Sequence, residues 1–416
     1  MIDQTILTSF LRRINQRYLR LEQTTTPPLP TPQSGRQYLM YVHIPFCEIL
    51  CPYCSFHRIP LHVPTAKAYF QALREEIKRY HELGFDFVDV YIGGGTPTVL
   101  PEELLATVQL IRSLYSIKQL SVETNPNHLR DDIMDILQEC GVNRLSVGIQ
   151  SFADHLLQEM DRYHKYGSGE EIKARLIAAR NRFHTLNADM IFNLPHQTIA
   201  SLLKDIAILK EVQVDQVTFY PLMTSKAAQQ AMTEQMGQVT FKRERAYYRT
   251  IVAGLAPDYQ PSSAWCFSRQ ETMIDEYIVD HPEYVGIGSG AFGYLNGRTY
   301  ANTFSIPQYI AAVTAGGLGI NAQRQYTRYQ QLQYDFMMGL FGLSLAKSEL
   351  EKKYGRGFAR MLWKELLAMK WLGAIKEDEQ YYHLTDKGMY YWVVMMREFF
   401  IGVNNFRDQM RNQLMG

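Results

Sequence analysis

The chain has 416 residues, 46% hydrophobic content and 43 basic against 42 acidic side chains, for a formal net charge of +1. That length suits one large domain with a smaller one, and the near-neutral balance gives no electrostatic footprint for nucleic acid. No run of 18 apolar residues occurs and the first residues lack a basic start, an apolar stretch and a small-residue cleavage site, so neither a membrane span nor a signal peptide is expected and the location reads as cytoplasmic.

Residues 3–21 carry Ile6, Leu7, Phe10, Leu11, Ile14, Tyr18 and Leu21 at helical spacing. The Pro-rich stretch 24–32 cannot continue a helix, so 1–36 reads as a helix and an extended linker. A strand–helix alternation follows, with strands expected at 38–44, 87–92, 119–124, 144–149, 187–194 and 216–220 and helices between them, such as 65–83 and 101–115. Strands alternating with helices argue for a parallel sheet covered by helices. Six such units are too few for an eight-unit barrel and predict a partial (β/α)6 barrel, an α/β fold, over 37–255. Residues 256–327 form an expected barrel-closing extension. Its glycine-dense segment 284–294 follows no clear βαβ unit, so close backbone packing explains it better than a nucleotide fingerprint. Residues 328–416 turn helical and resemble a small winged-helix unit, with helices at 347–354 and 357–371 and a hairpin to 385. That shape is usually associated with DNA, but no basic face accompanies it. The apolar run Met389–Met396 with Phe399–Ile401 reads as core rather than as a lipid-facing surface, a peripheral membrane contact being the alternative.

Three of the five cysteines stand in one short loop, Tyr41-Val-His-Ile-Pro-Phe-Cys47-Glu-Ile-Leu-Cys51-Pro-Tyr-Cys54. Cys-x3-Cys-x2-Cys offers three thiolates, whereas a structural zinc site closes with four ligands and no fourth stands at finger-like spacing beyond Cys54. A [4Fe–4S] cluster can be held by three thiolates with one iron left open. Cys140, ending an apolar helix pattern, reads as a small buried hydrophobe; Cys266, beside Trp265, reads as packing, with proximity to a site as the alternative.

This loop resembles the signature of the radical S-adenosylmethionine (SAM) proteins. Together with Gly93-Gly-Gly-Thr-Pro-Thr98, Glu123-Thr-Asn125, Val147–Phe152 and Asp189–Gln197, it resembles the oxygen-independent coproporphyrinogen III dehydrogenase family of that group. The likeness is strong over 38–225 and weak beyond. It implies that Cys47, Cys51 and Cys54 hold a [4Fe–4S] cluster whose open iron binds SAM. Gly93, Gly94 and Gly95 would approach the SAM amine, with Thr96 adding a hydroxyl and Glu123 a carboxylate. Arg162 would pair with the SAM carboxylate, which suits a planar bidentate donor. Gln150 and Asp189 match further SAM-contacting positions, and Tyr53 would lie against the adenine.

Two departures shape the functional expectation. Phe56 stands where the porphyrinogen dehydrogenases carry a fourth cysteine, and Ser263–Arg269 replaces the His-Asn motif of the haem chaperones. The subgroup expected on that ground is the menaquinone C8-methyltransferases, using two SAM molecules and a flavodoxin or ferredoxin as reductant, with a membrane-soluble substrate consistent with peripheral contact at the inner membrane. The alternatives are a haem-pathway dehydrogenase acting on a tetrapyrrole and a non-catalytic haem chaperone.

Overall fold

The computed structural model describes residues 8–9, 12, 18–24, 30–270 and 281–415. The helix expected over 3–21 lies mostly outside the described residues, as does the middle of the Pro-rich linker.

Six parallel strands form the centre: β1 (Gln37–Ile44), β2 (Asp86–Gly94), β3 (Gln119–Thr124), β4 (Arg144–Gln150), β5 (Thr185–Phe192) and β6 (Gln216–Pro221). They pair in chain order. β1 and β5 are buried at nearly every position, as strands covered on both faces must be. Helices Val63–Glu82, Pro101–Leu114, Asp131–Glu139, Gly169–Ala179 and Ile199–Val212 connect them. Two of these helices start on reciprocal caps, Ser168 with Glu171 and Thr198 with Ser201, which satisfy first-turn N–H groups that otherwise lack partners. Because the strands are parallel, their carboxyl ends share one rim, where barrels of this kind gather their chemistry.

The segment after β6 lengthens the sheet at both edges. Cys266–Ser268 pairs antiparallel with β6. Tyr284–Ile287 pairs parallel with β1 and leads into an antiparallel meander of Phe292–Leu295, Arg298–Asn302 and Ile320–Gln325. The glycine-dense run serves this meander: a Cβ on Gly286 would sit 2.0 Å from the Phe292 carbonyl oxygen, closer than any side chain tolerates.

Beyond it, helix Arg328–Phe341, helices Lys347–Tyr354, Phe358–Met361 and Trp363–Trp371, and the hairpin Ile375–Glu377 and Tyr381–Leu384 make the winged-helix-like unit. The last helix, Asp386–Met415, starts in this unit and returns across the barrel rim. Residues Met389 to Met396 are buried in the main core, and the Trp392 indole donates to the Met337 carbonyl at 2.9 Å. This apolar run is therefore core. No helix among the described residues is long and apolar enough to cross a membrane.

Candidate active site

One cavity of about 320 Å³ opens at the carboxyl rim of the strands, a size typical of small-molecule sites. Cys47, Cys51 and Cys54 line it, and none is in a disulfide. Two buried arginines shape the loop that carries them. Arg58 donates to the carbonyls of Cys51 and Cys54. Arg162 donates from Nη1 toward Cys51 Sγ at 3.7 Å and to the Tyr53 hydroxyl at 3.2 Å. The Thr96 hydroxyl donates to Cys47 Sγ at 3.6 Å. Burial pushes the Cys47 thiol up to about 11, with the Thr96 bond opposing, so a bound metal must displace its proton. No three His, Cys, Asp or Glu side chains among the described residues converge on a single-ion site. A cubane cluster asks for something else, since each of its three thiolates binds a different iron. Three unbridged thiols on one cavity wall, with cationic donors behind them, fit a [4Fe–4S] cluster.

The other expected residues divide by position. Tyr53, Gly94, Gly95, Glu123, Gln150, Arg162 and Asp189 line the cavity. Gly93 and Thr96 do not line it. A Cβ on Gly93 would lie 2.8 Å from the Glu123 carboxyl carbon, so this glycine leaves room for that carboxylate. Gly94 has φ +120°, and a Cβ there would strike the His43 ring at 2.7 Å. Thr96 is buried between Cys47 and Asn125, whose amide donates to it at 2.9 Å. Glu123 accepts from the Tyr91 hydroxyl at 2.8 Å and the Gly94 N–H at 2.9 Å. Burial raises its pKa to about 7 against those two bonds. Asp189 accepts from Ser146 at 2.6 Å and Asn187 at 2.8 Å, and burial raises its pKa too. Gln150 closes β4 with φ +73°, a conformation costly without glycine and frequent at binding sites.

Arg162 is the most constrained of the set. It is 2% exposed and its Nη2 donates to Asn125 and to the Gly148 carbonyl. Its guanidinium lies 4.0 Å from the Tyr166 ring centroid, and its Nε is buried with no acceptor. No carboxylate pairs with it among the described residues. A buried cation whose partners are neutral suits an anionic ligand.

Several lining residues were not expected. His43 and His57 stack with centroids 5.6 Å apart. His43 Nδ1 takes a bond from Tyr41 at 2.9 Å, and its Nε2 donates to the His57 carbonyl at 2.8 Å. Burial pushes the His43 pKa down to about 4. The Ser289 hydroxyl donates to the Thr303 carbonyl and so accepts from His57 Nε2. His57 Nδ1 is thus a buried acceptor with no partner. The last helix supplies Phe399, Phe400, Val403, Asn404 and Arg407 to the wall, and the Asn404 amide donates to Ser55, next to Cys54, at 2.8 Å. The sequence signal available for this wall was the run of aromatics followed by an arginine in one helix, which periodicity alone assigned to core. Cys140 and Cys266 are buried away from the cavity, as packing residues.

Residues 41–209 match the profile of the Radical SAM superfamily. The chain is 28% identical to the heme chaperone HemW of Bacillus subtilis (strain 168), over 84% of this chain and 95% of that protein. It is 26% identical to the anaerobilin synthase of Escherichia coli O157:H7, over 71% and 70%. It is 25% identical to the oxygen-independent coproporphyrinogen III oxidase of Salmonella typhimurium, over 85% and 83%. The solved structure of coproporphyrinogen III oxidase (HemN) from Escherichia coli shares the fold, with a TM-score of 0.75, 24% identity and coverage of 87% of this chain and 90% of that one.

These relatives overturn the expectation of a menaquinone C8-methyltransferase, since they are named for haem and its precursors. That expectation rested on two short segments. Phe56 is half exposed at the cavity mouth, and Ser263–Arg269 is largely an edge strand beside β6 with Trp265 fully buried. Two local absences, one of them serving sheet packing, weigh less than a likeness running along most of the chain.

Proposed function

We propose that this chain, which belongs to the radical SAM superfamily and is related to the HemW and coproporphyrinogen III oxidase proteins, is a SAM-dependent radical enzyme of the coproporphyrinogen-oxidase type acting on a tetrapyrrole. The observation that carries this is the composition of one cavity. Three thiols and the expected SAM residues occupy one side, and an aromatic wall with Arg407 from the last helix occupies the other.

Cys47, Cys51 and Cys54 would hold the cluster. With SAM on its open iron, a [4Fe–4S] centre supplies hydrogen-atom abstraction from an unactivated C–H position, and a ferredoxin- or flavodoxin-class protein would deliver the electron. The protein's own work is positioning. Arg162 offers a buried guanidinium for the SAM carboxylate, and Glu123, oriented by Tyr91 and Gly94, faces its amine end. Gln150, Asp189 and Tyr53 complete that side, and Gly95 leaves the backbone bare. The aromatic wall would pack the macrocycle against this side and exclude water. One SAM suffices for such a reaction.

The test is 5′-deoxyadenosine formation by reconstituted protein with SAM and dithionite, with and without coproporphyrinogen III or haem. The proposal expects turnover stimulated by a tetrapyrrole, with all activity and the broad cluster absorbance lost in Cys51→Ala but retained in Cys140→Ala. A second reading, haem carriage without turnover, is favoured by the HemW likeness along 95% of that protein. Stoichiometric haem binding with no tetrapyrrole-dependent SAM cleavage would select it.

A further inference from the structure

Arg407 and Arg58 both line the cavity, and each has a buried nitrogen without an acceptor, Nη1 in Arg407 and Nε in Arg58. Arg407 is 5% exposed. Its one charged partner is the adjacent Asp408, which accepts from Nε at 3.0 Å and from Nη2. One turn further on the same helix stands Arg411, half-buried. Three guanidiniums against one carboxylate leave this end of the cavity with a surplus of positive charge. Burying such donors unpaired costs stability, and the cost is recovered when a ligand supplies the acceptor.

We infer that Arg407, with Arg58 beside it and Arg411 behind it, is the carboxylate-binding pole of the cavity, which takes an acidic side chain of the tetrapyrrole while the ring lies on Phe399 and Phe400. This rests on the tetrapyrrole assignment above. Burial and the charge of Arg407 both lower the proton affinity of Arg411, with Arg58 adding to the effect and Asp408 opposing it, as expected of cations gathered without enough counter-charge. The pole belongs to the last helix, more than 200 residues from the barrel strands that carry the SAM side. Ring orientation would therefore be set from outside the barrel. A guanidinium suits the task because it can meet a carboxylate with two parallel bonds.

Fluorescence anisotropy of coproporphyrin III, as the free acid and as its tetramethyl ester, tests this on the full-length protein with its cluster. Wild-type protein should bind the acid at least about tenfold more tightly than the ester. Arg407→Gln should lose about ten- to hundredfold in affinity for the acid, the usual effect of removing a charge-assisted bond, with little change for the ester. Arg407→Lys should recover part of that loss. Arg411→Gln, at a half-buried position that need not disturb folding, should narrow the acid–ester gap in the same direction. Equal binding of acid and ester by wild type would overturn the pole and leave tetrapyrrole binding standing. Binding of neither would overturn the tetrapyrrole assignment and the pole with it.

Discussion

Arg162 holds the argument at the scale of single residues. Its described hydrogen-bond partners are a phenol, an amide oxygen, a carbonyl and a thiol, none of which returns the solvation a buried guanidinium has lost. Arg162→Ala should leave the cluster absorbance in place and weaken SAM binding by about ten- to hundredfold, equivalent to about 1.5–3 kcal/mol for one bond to a charged group. Equilibrium dialysis with labelled SAM measures this, and unchanged affinity would remove Arg162 from the SAM site. Gln150 offers the complementary case. At φ +73°, Gln150→Gly relieves backbone strain, so the variant should keep or gain stability, by up to about 1 kcal/mol in urea titration, while SAM affinity falls. The cysteines and the SAM-side residues were legible because each sits in a contiguous motif at a strand end. His57 and Arg58 adjoin the third cysteine and yet carry no spacing rule that marks them. Only the folded loop, turning His57 onto Ser289 and Arg58 back onto two carbonyls, gives them a place.

At the scale of elements, Asp205 fixes helix Ile199–Val212 to the loop that leaves β4. Its carboxylate accepts from the Phe152 N–H at 2.8 Å and the Ser151 hydroxyl at 2.9 Å. Burial raises its pKa to about 7 despite both bonds. The folded protein therefore keeps a proton that the unfolded chain releases near its ordinary pKa of about 3.8. Stability from this group is full below about pH 4, declines as pH rises toward 7 and levels off above. Asp205→Asn should remove about 2–3 kcal/mol of the decline between pH 5 and pH 8, measured by urea unfolding at both values. Glu123, also raised to about 7, would account for decline that persists. An identical slope in the variant would show that Asp205 is ionised in the fold. The strands themselves were readable to within two residues at most ends, because parallel strands buried on both faces give unbroken apolar runs. The winged-helix-like unit was readable as well, except that the helix expected at 357–371 breaks into two around Leu362. The outward side of its second half exposes Trp363, Leu367 and Trp371, an apolar face where a DNA-reading helix would carry polar and basic groups.

For the whole molecule, the decisive feature is that the site has two owners. The barrel supplies the thiols and the SAM side, and the last helix supplies the wall against which a substrate would rest. Sequence patterns treat these as separate units, since nothing local in 386–415 points to Cys54 some 330 residues earlier. What joins them is a buried ionic cluster. Arg397, fully buried, pairs with Glu244 and with Glu398 at 3.0 Å, lies 3.9 Å from the Phe241 ring centroid and donates to Thr8 at 2.9 Å. Tyr390 donates to the same Glu244 at 3.1 Å, and Arg12 reaches Glu398 at 2.7 Å. Desolvation makes such a cluster a weak source of net stability, but removing one member strands the others. Arg397→Met should therefore destabilise the protein by about 3–5 kcal/mol, and the added change Glu244→Gln should recover more than half of the loss by removing the stranded carboxylate. Because the helix also forms the aromatic wall, tetrapyrrole binding should fail in Arg397→Met at a lower temperature than cluster absorbance does. Parallel melts followed by porphyrin anisotropy and by cluster absorbance would show it. Coincident loss of the two signals would mean that barrel and helix unfold as one unit, and that the wall has no independent docking equilibrium through which substrate access could be controlled.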